Sequence, residues 1–175
     1  MIRLGPLLIL LALVCTGCPL SVKSEAMIPL APMAVHKSAS DIAISVLGAT
    51  DVSAPKPIHI SDEDFAQSLQ ESFEKSGLFR KAVTDTQATY QLQAVFVQMD
   101  EQIFGLDMTA SIEVNYTLAS TTPKKVLWEK RVSATHTTAF GESLISATRI
   151  RLATEGAARR NIEQAISEIS KLQLE

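Results

Sequence analysis

Cysteine is almost absent. The two in 175 residues, Cys15 and Cys18, both lie in the apolar N-terminus, so the rest of the chain can form neither a disulfide nor a cysteine zinc site. Aromatic residues make up only 5%, and charge of one sign is lacking too: 16 Lys plus Arg stand against 19 Asp plus Glu without a block of either. That balance argues against a nucleic-acid binder held through phosphates. No glycine-rich phosphate loop, nucleophile elbow, paired-histidine zinc motif or calcium loop is present. His36, His59 and His136 fall singly in what read as a tether, a loop and a strand end, where a lone histidine is expected to be solvated. Asp62, Glu63 and Asp64 are adjacent acids at a helix start, pointing in different directions. They compensate the helix dipole there and do not make a metal site. The expectation is therefore no catalytic site, no metal and no cofactor.

Long hydrophobic runs are missing as well. The one candidate, residues 7–14, is too short to span a bilayer and follows Met1-Ile2-Arg3, which is the form of a secretory signal. The junction Thr16-Gly17-Cys18 resembles the bacterial lipobox, although Cys15 stands where that pattern prefers leucine. The resemblance implies cleavage after Gly17 and acylation of Cys18; an ordinary cleaved signal peptide is the alternative. Acyl chains bind a bilayer through each buried methylene, about 0.8 kcal/mol apiece. The expected organisation is a signal peptide over 1–17, a lipidated N-terminus and flexible tether over 18–40, rich in proline and without period, and a domain over 41–175.

Within that domain, residues 106–118 alternate strictly between apolar (Leu106, Met108, Ala110, Ile112, Val114, Tyr116, Leu118) and polar, the period of a strand with one buried face. Residues 41–47 read as a first strand and 49–60 as a loop. Ser61 then caps a helix over 62–76 with a capping-box partner in Asp64, Phe65, Leu69 and Phe73 on one face, and Gly77 as its stop. Strands from Tyr90 and from Val126 flank the alternating one. Apolar residues at helical spacing over 142–172 predict a final helix of about 45 Å, in which Gly156 implies close packing or a bend. The fold expected is α+β: a single antiparallel sheet of about four strands, in the order strand-helix-strand-strand-strand-helix, with both helices on one face.

Two features stand out from this frame. Val95, Val97 and Met99 put apolar side chains on the face of the Tyr90 strand expected to be wet, with Leu127 adding to them if the register allows. They form a candidate partner surface unless the tether folds back over them. Arg151 falls within the apolar stripe set by Leu152, Ala158, Ile162 and Ile169, with Glu155 one turn on, while Arg149 and Arg160 project away. The pair reads as an anion or partner contact, or as an Arg151 to Glu155 ion pair with the arginine stem on apolar surface.

The runs 73–79 (FEKSGLF), 88–92 (ATYQL), 126–130 (VLWEK) and 153–162 (ATEGAARRNI) resemble a group of uncharacterised proteobacterial envelope lipoproteins, some of them named sugar-nucleotide acyltransferases. The hexapeptide repeat of left-handed β-helix acyltransferases is absent. In element order the chain is also similar to auxiliary lipoproteins of lipid-transport ABC systems and to the lipoprotein partner of the lipopolysaccharide insertion barrel. These resemblances imply a non-enzymatic binding or accessory module in envelope assembly or lipid transport. It would be anchored to the bilayer through acylated Cys18 at the outer membrane, facing the periplasm, with an envelope protein or lipid as partner. The alternative is an acyltransferase or hydrolase of the envelope.

Overall fold

Alternation, caps and turns give the following order in the computed structural model, which describes residues 20–30, 38–53, 56–83, 88–103 and 105–174. Strand β1 (Leu20–Ser21) and helix α1 (Ser24–Met27) precede β2 (Asp41–Leu47), α2 (Ala49–Ser53), β3 (Ile58–His59) and α3 (Asp62–Ser76). Strands β4 (Lys81–Val83), β5 (Tyr90–Gln102), β6 (Met108–Ser120) and β7 (Lys125–Thr138) follow, then a 3-10 turn (Phe140–Glu142) and α4 (Ser146–Ile169).

The main sheet has five strands in the order β4-β2-β5-β6-β7 and is mixed, which corrects the expectation of an antiparallel sheet of four. β2 lies parallel to both β4 and β5, whereas β5, β6 and β7 form an antiparallel meander. The cause is the helix between β2 and β4. A strand that continues through a helix before rejoining its sheet returns to the end where it began, so the two strands run parallel. β4, only three residues long, carries too short a pattern to be seen in sequence. A second, two-stranded sheet pairs β1 with β3.

α3 forms as its caps dictate. Ser61 Oγ accepts the Asp64 N–H at 2.9 Å, and Gly77 closes the helix at φ +67°, a left-handed conformation that glycine adopts without steric cost. Phe65, Leu69 and Phe73 are fully buried in one core with the inward residues of β6. Phe65 meets Phe96 edge to face at 4.7 Å between centroids. α4 begins at Ser146, not Glu142, and its 24 residues span about 36 Å. Leu144 lies before it, exposed.

Both helices cover the same face of the sheet, α3 over β2 and β4, α4 over β6 and β7, and α1 packs against each of them. This corrects the reading of 18–40 as a flexible tether, at least over its described part. Val22 and Met27 are completely buried, Val22 N–H donates to the His59 carbonyl at 2.8 Å, and Ser68 Oγ donates to the Ser24 carbonyl at 3.1 Å. The apolar area of Val22, Met27 and Ile28 is what holds the segment down.

Candidate functional site

Cys18 and Gly17 lie outside the described residues. Of the candidate partner surface, Val95 and Val97 are half-buried on the outer face of the sheet, but Met99 is 1% exposed and belongs to the core. A β-bulge explains the change: Phe96 pairs with Val114 and Gln98 with Glu113, leaving Val97 as the extra residue. After the bulge the phase reverses, so Met99 and Glu101 turn inward while Gln98 and Asp100 turn out. Leu127 packs against the core and is not part of an outer patch. The rest of the outer face is polar, with Thr109 and Thr137 hydroxyls 2.9 Å apart and Arg131 bridging Glu113 at 3.1 Å.

Arg151 and Glu155 form the ion pair. The arginine is about one-third exposed, whereas the glutamate is buried. Arg149, expected to project outward, is instead 4% exposed. Its Nη1 donates to the Ser143 carbonyl at 2.5 Å, and its guanidinium lies 5.0 Å from the centre of the Phe140 ring. The buried stripe of α4 therefore runs through Ile150, Ala153, Ala157, Ile162 and Ile166, with Leu152 at its margin.

These residues are part of a polar cluster where the N-terminal half of α4 meets the ends of β5 and β7. Thr154 and Thr138 are fully buried. Glu101 Oε1 lies 3.5 Å from Thr154 Oγ1, and burial raises the Glu101 carboxyl above its usual range against the opposing pull of Lys56 and that contact. His136, expected to be solvated, faces α4 at Gly156, where a Cβ would fall 2.1 Å from the imidazole Cδ2. Gly156 thus answers to close packing. Desolvation, then the nearby Arg160, lowers the His136 pKa. Farther along, the completely buried Tyr116 hydroxyl donates to Asn161 Oδ1 at 2.9 Å. The Asn161 amide in turn donates to the Ile112 and Val132 carbonyls at 3.2 and 2.8 Å.

One serine and histidine do meet: Ser53 Oγ is 3.3 Å from His59 Nδ1. The pair has no shape for nucleophilic attack, because Ser53 is 0% exposed and its hydroxyl is bonded to both the N–H and the carbonyl of Ile60. It ties the end of α2 to His59 and Ile60. Asp62, read as dipole compensation, accepts the N–H groups of Ala49 and Thr50 at 2.6 and 3.1 Å and so caps α2. Among the described residues no group of three or more His, Cys, Asp or Glu is placed to hold a metal.

Two surface features remain. Where β6 turns into β7, an open cleft of about 630 Å³ is bordered by Tyr90, Lys125, Leu127, Leu172 and Leu174. At the other end of the sheet, the β5–β6 and β7–α4 loops expose Ile103, Leu106, Phe140, Leu144 and Ile145, between 41 and 83% accessible. The loops are joined by Phe140 N–H donating to Asp107 Oδ1 at 2.9 Å. Sequence reasoning missed this second feature because Leu106 and Leu144 continue the periods of β6 and α4, yet each lies just before its element begins and is exposed.

No protein-family model matches the sequence, and no curated protein matches it. Solved structures do share the fold. A Xanthomonas campestris protein of the DUF330 family superposes with a TM-score of 0.60 at 16% identity, over 86% of this chain and 91% of that one. A minor lipoprotein from Acinetobacter baumannii gives 0.54 at 12% identity, over 77% and 93%. A hypothetical protein of Chlamydia trachomatis gives 0.52 at 7%, over 76% and 96%. The chain therefore has an α+β fold that a bacterial lipoprotein also uses.

Proposed function

We propose that this chain is a lipid-anchored bacterial envelope lipoprotein, held by acylated Cys18, that serves as a non-enzymatic accessory or binding module. The observation that carries the reading is the Thr16-Gly17-Cys18 junction behind a short apolar run, two residues ahead of Leu20, which pairs into the folded domain. The fold in common with a minor lipoprotein supports it. Placement at the outer membrane facing the periplasm, and a role in envelope assembly or lipid transport with an envelope protein or lipid as partner, belong to the same proposal. Among the described helices none is long and apolar enough to cross a membrane, which suits an acyl anchor. The rival reading, an acyltransferase or hydrolase, would need a nucleophile other than Ser53, whose hydroxyl is buried and bonded to Ile60.

Intact-mass measurement of the detergent-extracted protein tests the anchor. The mature chain should begin at Cys18 and carry the added mass of acyl groups, and Cys18→Ser should leave it unprocessed. A mature chain that begins elsewhere, or begins at Cys18 without acyl mass, would overturn the proposal. Steady release of acyl groups from ester or thioester donors by the purified protein would overturn its non-enzymatic part.

A further inference from the structure

We infer that the loops bearing Ile103, Leu106, Phe140, Leu144 and Ile145 form a second membrane contact, so that the domain rests with this end on the bilayer to which Cys18 attaches it. The inference rests on the acylation of Cys18 proposed above.

Chain reach carries the argument. Only Pro19 separates Cys18 from Leu20, and two residues extend at most about 7 Å. Leu20 is fixed to the domain by pairing with Ile58. Ile58 lies three residues before Ser61, the cap of α3, and the neighbouring Asp62 accepts the N–H groups of Ala49 and Thr50 just past the end of β2; because β2 runs parallel to β5, this is the direction in which β5 leads to the exposed Ile103. The direction of the N-terminal segment agrees. Ser24 is held by Ser68, seven residues past Ser61 along α3, whereas Leu20 pairs with Ile58, which precedes that cap. The segment, followed backwards from Ser24 to Leu20, therefore heads toward the end where the apolar loops lie. A domain tied this closely cannot stand off from the headgroups, and the loops lie on the side that must face them.

The chemistry of the loops fits a bilayer better than a protein partner. Their apolar side chains are 41 to 83% exposed on two adjacent loops, where a deformable apolar phase can accept them without a complementary shape. The two acids among them are engaged locally: Asp107 accepts the Phe140 N–H at 2.9 Å and Glu142 accepts the Ala139 N–H at 2.8 Å. The outer sheet face, with Thr109, Ser111, Glu113 and Arg131, is too polar to take this role.

The test uses the mature lipoprotein in phosphatidylcholine vesicles. Acylated Cys18 has no free thiol and the rest of the mature chain is cysteine-free, so Leu106→Cys, Leu144→Cys and, at the opposite turn, Lys124→Cys each provide one site for an environment-sensitive fluorophore. Labels at 106 and 144 should be quenched by brominated acyl chains and shielded from an aqueous quencher, with the label at 124 behaving in the reverse way. Equal aqueous quenching at all three sites on vesicle-bound protein would overturn the inference while leaving the anchor intact. Disulfide cross-linking of two copies through Leu144→Cys without bromolipid quenching would overturn it in favour of a second copy. Acylation is read separately from the intact mass. If Cys18 carries no lipid, the same labels are placed in a chain with Cys15→Ser and Cys18→Ser, where bromolipid quenching at 106 and 144 would still support the contact and its absence would overturn it.

Discussion

Gly156 and His136 show how a single position can reverse an ordinary preference. In a helix interior, alanine is favoured over glycine by about 1 kcal/mol, yet a Cβ at 156 would fall 2.1 Å from the His136 ring. Overpacking of that kind costs about 1–3 kcal/mol, so Gly156→Ala should lower stability in urea unfolding despite its helix propensity. Combined with His136→Ala, the alanine at 156 should become neutral or favourable, a coupling that a double-mutant cycle measures directly. A Gly156→Ala protein more stable than wild type would mean that the imidazole moves aside without cost. The glycine's anomaly was visible in sequence. Its partner was not, because His136 is twenty residues away and reaches the helix only through the inward phase of β7, as does its neighbour Thr138.

At the scale of elements, the pattern was legible where one face of a long element is buried without interruption. α3 carries its caps in sequence and formed over the expected residues, and β6 alternates over its length but starts at Met108, two residues later than expected, leaving Leu106 exposed. β5 broke the rule, and a trace of the break is present: Gln98 and Asp100 fall on what would be the buried phase, and a bulge at Val97 returns them to water. The consequence separates three residues that looked alike. Val95→Thr and Val97→Thr together should leave the domain folded with little change in its urea midpoint, since a half-exposed strand position accepts threonine. Met99→Ala should cost about 2–5 kcal/mol. If the paired threonines destabilise as much as Met99→Ala, the outer face is covered and the assignment of Val95 and Val97 to it fails. Arg149 was misplaced for a related reason. The stripe was drawn through Leu152, which is only half-buried at the margin of the buried face, and that moved Arg151 onto it.

For the whole molecule, the main revision is that the fold begins before β2. Helices α3 and α4 stand over opposite halves of the sheet, and α1 fills the seam between them, with Met27 at 0% exposure. Periodicity could not reveal this, because a four-residue helix between proline-bearing loops has no repeat to detect, and its burial depends on two helices that only the folded sheet brings together. The energetic weight is nonetheless considerable. Truncating a buried methionine costs about 2–5 kcal/mol, a large share of the 5–15 kcal/mol that about spans the stability of ordinary domains. Met27→Ala should therefore lower the urea midpoint of the mature protein markedly, while Leu30→Ala, at a position 89% exposed, should leave it unchanged. A Met27→Ala protein within about 0.5 kcal/mol of wild type, the range of ordinary surface substitutions, would return residues 20–30 to the status of a tether. It would also remove the fixed point at Leu20 from which the membrane-facing end of the domain is deduced, so the same unfolding curve bears on the packing of the molecule and on its orientation at the bilayer.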